Sequence, residues 1–227
     1  MQKIETRGFV LSVKRFGEKE LLISLLTPEY GRYVGLAGTK HTPMVASFLT
    51  VSWQARLSEQ LGRYTIKDAQ PLSALYMNDA PRLAALSGLC GMMQLLLPER
   101  ESHPRLYQQL TDFLSHLDDE DWLTHYARLE VALLSAIGFG LDLTHCVLGG
   151  SMDDLAFVSP KTGRAVSREK AAPYQDRLLP LPAFLYKETS PTVQDIRDAL
   201  NLTAYFLQKQ LKTLPPTRLQ LAKYLSK

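Results

Sequence analysis

Hydrophobic positions along the chain change their period near Pro71. Before it, from Gly8 to Leu72, short apolar runs alternate with polar breaks: FVLSVKRF, LLISLLT, YVGLAGT, FLTVSWQARL and RYTIKDA. They are rich in β-branched and aromatic residues and are separated at Gly17, Pro28, Gly31, Pro43 and Gly62, so they predict about five strands joined by short connections. Beyond Pro71 the spacing becomes helical. Asp79 is a predicted N-cap for APRLAALSGLCGMMQLLL, which runs to Pro98, and a second helix is expected from Pro104 to Leu117. In the third, Trp122, Tyr126, Leu129, Leu133 and Ile137 share one stripe; it follows the acidic run Asp118–Asp121, which suits the positive end of a helix dipole, and closes at Gly138 and Gly140. A fourth begins at Thr192 with the capping-box sequence TVQD, carries Ile196, Leu200, Leu207, Leu211 and Leu214, and stops at Pro215 and Pro216. A short basic helix from Thr217 to Leu225 follows.

This succession of strands and helices is an α+β pattern, and 227 residues, 45% of them hydrophobic, suffice for one large domain or two small ones. No segment reaches the roughly 20 apolar residues of a membrane span. Leu83–Leu97, the nearest, is interrupted by Ser87, Gly88, Gly91 and Gln94, and the charged start Lys3, Glu5, Arg7 is unlike a signal peptide, so a cytoplasmic protein with no membrane partner is expected. Of the two cysteines, Cys90 lies in an apolar helical run where a buried free thiol is the ordinary outcome. Net charge is +3, distributed as +4 over residues 1–72, −6 over 73–145 and +5 over 146–227. Basic ends around an acidic middle fit a nucleic-acid surface. The candidate cations are Lys14, Arg15 and Lys19 at the first turn, Arg32 after the second, Lys40 and His41 in the next loop, and Arg56, Arg63 and Lys67 beyond, with Phe16, Tyr30, Tyr33 and Tyr64 as rings for base stacking or for core packing. Catalytic signatures are missing: there is no Walker loop, G-x-S-x-G or H-E-x-x-H. His145 and Cys146 are sequence neighbours whose side chains point apart. Asp118–Asp121 with Asp153 and Asp154 read as a helix start and a solvated turn before they read as a nuclease metal site. The chain is not expected to be an enzyme.

The run RLEVALLSAIGFGLDLTHC resembles the signature of the RecO family of bacterial recombination mediators, R-x-E-x-x-L-L-x-x-x-G-[FY]-G-x-x-[LF]-x-x-C. GFVLSVKRFGEKELLISLLTPEYGRYVGLAGTK and SPKTGRAVSREKAAPY are similar to further parts of the family, so the likeness covers nearly the whole chain. Where pattern alone leaves OB and SH3-like barrels level, the resemblance implies an OB fold, partly open, over residues 1–75. It also implies a helical domain over 76–227 with a ribbon-like insertion at about 146–190. Implied in turn are binding of single- and double-stranded DNA, strand annealing, partnership with RecR and with the acidic tail of the single-stranded-DNA-binding protein, indirect action on RecA, and a place at the nucleoid without any cofactor. Many relatives carry a zinc ribbon of two C-x-x-C pairs in the insertion. Here Cys146 holds the first position while Gly149, Ser167 and Lys170 stand at the others, so no metal is expected, and a hairpin from Ala156 to Val166 should hold by packing. For the partner tail, an acidic peptide ending in an apolar residue, the candidates are Arg128, Leu207, Lys209, Leu211 and Lys212; the other reading of Lys209, Lys212, Arg218, Lys223 and Lys227 is a solvated basic C-terminus over a core stripe. An RNA-binding OB module and a metal-dependent nuclease are the alternative functions.

Overall fold

The alternating N-terminal pattern folds into five strands in the computed structural model, which describes residues 2–40, 42–57 and 60–225: β1 (Gln2–Phe16), β2 (Glu20–Thr27), β3 (Gly31–Gly38), β4 (Phe48–Ala55) and β5 (Gly62–Gln70). They close in the order β1-β2-β3-β5-β4, with β3 parallel to β5 through Gly35–Gly62 and Leu36–Arg63. This is the OB topology, closed where a partly open barrel was expected. Closure depends on β1, which is 15 residues long and passes from β4 to β2 at Phe9, opposite Phe48 on one side and Leu26 on the other. A register shift between Val10 and Ser12 supplies the bend. Inward residues Ile23, Leu25, Leu49, Val51 and Trp53 are fully buried. Trp53 fits because Gly62 faces it: a Cβ there would lie 2.2 Å from the indole ring.

Helices follow as α1 (Leu72–Leu75), α2 (Ala80–Leu96), α3 (Pro104–Ser115) and α4 (Trp122–Ala136). Next come β6 (Leu155–Val158), β7 (Ala165–Ser167), α5 (Arg168–Ala171), β8 (Leu179–Pro180), α6 (Val193–Gln210) and α7 (Pro216–Tyr224). The Asp79 side chain caps α2 by accepting from Arg82 N, and Thr192 with Asp195 forms the expected capping box on α6. By compactness the chain forms two units, residues 1–107 with 215–225 and residues 108–214. The division at residues 75 and 76 follows the change from strand to helix; compactness instead groups α1, α2 and α7 with the barrel.

In the first unit α2 lies against β1, where the Cys90 thiol meets the Val10 carbonyl oxygen at 3.5 Å and burial pushes its pKa up to about 12. Small residues let α7 approach the same helix: a Cβ at Gly88 would be 3.0 Å from Arg218 N, and one at Gly91 would be 3.2 Å from Pro215. In the second unit α4 and α6 share the core. Trp122, Tyr126, Leu129 and Leu133 are buried as their spacing predicts, while Ile137 is only half-buried at the C-cap. A Schellman motif ends α4: Gly138 adopts φ +81, its N–H bonds Ser135 O at 3.1 Å, and Phe139 N–H bonds Leu134 O at 2.9 Å. Asp121 is the positional N-cap but makes no side-chain capping bond, so the acidic run acts on this helix only through its field.

Three expectations shift. Helix α6 stops at Gln210, where Leu211 takes extended backbone (φ −108, ψ 123); Leu211 and Leu214 are still buried. Helix α3 ends at Ser115, two residues early, within the usual fraying of helix ends. The hairpin forms as β6 and β7 but gains a third strand, β8, in the order β7-β6-β8; two residues, one a proline, offer no strand signal in sequence.

The cores of α4 and α6 meet over an acidic side chain. Glu130 is fully buried and accepts from the Thr203 hydroxyl on α6. A Thr203→Val substitution keeps the shape and removes a donor from a buried carboxylate, so unfolding free energy in urea should fall by about 1–3 kcal/mol; an unchanged midpoint would show that this bond contributes nothing.

Candidate nucleic-acid interface

The β1–β2 connection is built by a tight turn. Phe16 pairs with Glu20, Gly17 takes φ +65, and Lys14, Arg15, Phe16 and Lys19 all stand exposed around it. Two other connections adjoin it. Thr39 N–H bonds Lys19 O at 3.3 Å, which sets the exposed Lys40 beside the turn, and the ion pair from Arg63 to Glu20 ties the start of β5 to the start of β2. Turn, post-β3 segment and the end of the β4–β5 loop thus form one end of the barrel.

Ion pairing sorts the eight candidate cations. Lys14, Arg15, Lys19, Lys40 and Arg56 are exposed and pair with no acid among the described residues. Arg63 is held by Glu20. Lys67 is held by Glu5 at 2.8 Å, and hydrogen bonds from Lys67 and then Lys3 keep the Glu5 carboxyl down at about 2. Arg32 is structural: its Nε donates to Leu97 O at 2.7 Å and its guanidinium pairs with Glu99 at 3.3 Å, which secures the segment after α2. His41 and Lys227 lie outside the described residues.

The four rings divide as well. Tyr33 and Tyr64 are core residues, with the Tyr64 hydroxyl donating to Tyr33 O at 3.0 Å and burial raising the Tyr64 pKa. Phe16 and Tyr30 are 48% and 38% exposed. Tyr30 sits at the β2–β3 turn, away from the cations, so Phe16 is the ring that stands among them. The sequence reading passed over Leu57 and Leu61, exposed at 64% and 46% in the β4–β5 loop; Leu57 closed the predicted FLTVSWQARL strand, and Leu61 stood outside any strand pattern.

The tail candidates all lie in the second unit. Leu207 is fully buried and Leu211 is 9% exposed, so this stripe belongs to the core. Arg128 donates from Nε and Nη2 to Phe184 O at 3.2 and 3.1 Å. Lys209 bonds the Pro160 carbonyl and lies 4.6 Å from the Tyr205 ring centroid, whereas Lys212 is exposed. In the ribbon, the positions of the missing ligands do converge. Cys146 Sγ lies 3.5 Å from Ser167 Oγ and accepts from Ser167 N at 3.2 Å. Gly149 does not join them, since a Cβ there would meet nothing within 4 Å; it is the neighbouring Gly150 that packs on Ser167 and Lys170. Burial resists ionisation of the Cys146 thiol, but bonds from Ser167 and from the N–H groups of Leu148 and Gly150 outweigh it and lower the pKa to about 7. Hydrogen bonds occupy this knuckle. Asp118–Asp121 form no metal-ligating group with Asp153 and Asp154 among the described residues.

Comparison with known proteins decides the family. Residues 1–74 match the model for the Recombination protein O N terminal, and residues 77–219 match that for the Recombination protein O C terminal. The chain belongs to the RecO family. It is similar to the DNA repair protein RecO of Cereibacter sphaeroides, 39% identical with all of both chains covered. It is also similar to the RecO proteins of Methylocella silvestris, 38% identical over 91% of this chain and 87% of the relative, and of Jannaschia sp., 40% identical over 94% and 92%. The expected fold class and family are therefore both met, and the chain is a RecO-family DNA repair protein. Within that frame the RecO signature has a physical account: Arg128 holds the Phe184 turn, Glu130 links α4 to α6, Gly138 makes the Schellman turn, and Cys146 anchors the ribbon. No helix of the described residues is long and apolar enough to cross a membrane.

Because Arg32 is anchored by Leu97 and Glu99, Arg32→Ala should lower unfolding free energy in urea by about 1–3 kcal/mol; an unchanged midpoint would show that these bonds contribute nothing.

Proposed function

We propose that this RecO-family chain is a non-enzymatic recombination mediator that binds single- and double-stranded DNA through the first-turn end of its OB barrel. The observation that carries this is the set of exposed cations with no acid partner among the described residues, Lys14, Arg15 and Lys19 at the turn that exposes Phe16, Lys40 beside it, and Arg56 after β4. Cations already neutralised by Glu5 or Glu20 add little to a phosphate surface, whereas free ones release DNA counterions when they bind. An aromatic ring among them supplies stacking without sequence preference, at roughly 1–3 kcal/mol per base. Annealing follows from holding two backbones on one basic end. Family membership adds RecR and RecA as partners, nucleoid association, and the acidic tail of the single-stranded-DNA-binding protein. On this chain the tail is assigned to the cations of the second unit, Lys209 and Lys212 with Arg128, beside the half-exposed Tyr205.

Reversing Lys14, Arg15 and Lys19 together to Glu should weaken binding to every DNA sequence and lower the salt slope by about 2, since each phosphate contact on a single strand accounts for roughly 0.7 of that slope. An intact fold with unchanged affinity and slope would remove the first turn from the site. Tight discrimination for a 2′-hydroxyl in the same titration would favour RNA, and magnesium-dependent cleavage would favour a nuclease.

For the tail, Lys209→Glu with Lys212→Glu should reduce affinity for an acidic peptide by roughly tenfold or more, at about 1 kcal/mol per contact. Undiminished binding by the folded double variant would leave Arg128 as the remaining candidate.

A further inference from the structure

Sequence reading expects no metal site, but the second unit brings three ligating side chains together away from the ribbon. Asp112 and His116 are one helical turn apart at the end of α3, and His125 faces them from the first turns of α4; one ligand atom from each lies within 4.8 Å of the other two. The imidazoles of His116 and His125 are stacked nearly parallel, with centroids 3.9 Å apart and planes 7° apart. His125 Nδ1 is 2.9 Å from Asp112 Oδ2, and His116 Nδ1 is 2.8 Å from the Asp112 carbonyl oxygen. The Nδ1 atoms are also those nearest the Asp112 carboxylate, His125 Nδ1 at 2.9 Å and His116 Nδ1 at 3.7 Å, so in the Nε2–H tautomers both Nδ1 lone pairs are available as ligands beside a carboxylate oxygen.

We propose that Asp112, His116 and His125 bind one divalent transition-metal ion of the zinc class, with solvent completing the coordination. Two imidazoles and a carboxylate are a borderline-soft donor set that suits zinc over magnesium or calcium. Tetrahedral zinc bonds of about 2.0–2.1 Å separate ligand atoms by roughly 3.3 Å, between the 2.9 and 3.7 Å that separate the Asp112 carboxylate from the two Nδ1 atoms. The cluster is partly exposed, so an ion can enter, and Asp119 and Asp121 add negative charge near His116. The contrast with His145 is informative. That ring also has an acid nearby, Asp142 at 3.6 Å, but the Arg164 guanidinium stands 2.8 Å from its Nε2 and excludes a cation. Binding would clip α3 to α4, beside the signature helix.

The test titrates the full chain with zinc in a competing chelator buffer, then repeats it with cobalt, whose visible spectrum reports the donors. One ion per chain is expected, with a melting temperature that rises on zinc addition and a cobalt spectrum lacking thiolate charge transfer. Affinity should fall at least tenfold in His125→Ala and in Asp112→Asn, and should be unchanged in Cys146→Ser. Absence of stoichiometric binding overturns the proposal. So does binding that survives both folded variants, or binding that is lost in Cys146→Ser, which would place the ion in the ribbon. Should His125→Ala fail to fold, Asp112→Asn and His116→Gln decide by the same readout.

Discussion

Barrel closure through β1 is the constraint on which the first unit depends. A five-stranded sheet with two free edges would leave rows of N–H and C=O groups to water or to other chains; β1 removes both edges by serving β4 with its first half and β2 with its second. The bend this requires is placed at Phe9 to Ser12, the stretch of β1 whose Val10 carbonyl meets Cys90 of α2. Closure, bend and helix docking are therefore one arrangement. What remains to project from the barrel is its turns, and it is there that the unpaired cations stand.

Charge on this barrel is divided by its acids. Glu5 and Glu20 hold Lys3, Lys67 and Arg63 along the strands, and Glu99 holds Arg32, while the first turn and its neighbours carry basic groups without acid partners among the described residues. Exposed ion pairs of this kind contribute little to stability. Their effect is to neutralise part of the positive charge on the strands, which a count of lysines and arginines along the chain does not show.

In the second unit the ribbon-like segment is held by hydrogen bonds and packing. Cys146 remains at the knuckle, but its partners are Ser167 and backbone N–H groups, and packing of β6 against β7 and β8 does the rest. Glu130 shows the same economy within α4. Its buried side chain accepts from the Thr203 hydroxyl that α6 brings to it.

Sequence by itself determined the element types, the caps at Asp79 and Thr192, the turn at Gly138, the core stripes of α4 and α6, and the family through its signature. These are local: period, capping chemistry and left-handed backbone are all read within about ten residues. Tertiary structure alone decided which cations are free. Lys14 and Lys67 look alike in sequence, and only the pairing of β1 with β4 and β5 with β4 brings Glu5 to Lys67. It also decided that Tyr33 and Tyr64 face the core while Phe16 faces solvent, that β8 adds to the hairpin, and that His125 meets Asp112 and His116 across two helices. Each of these depends on contacts between residues distant in the chain, whose register no local pattern encodes.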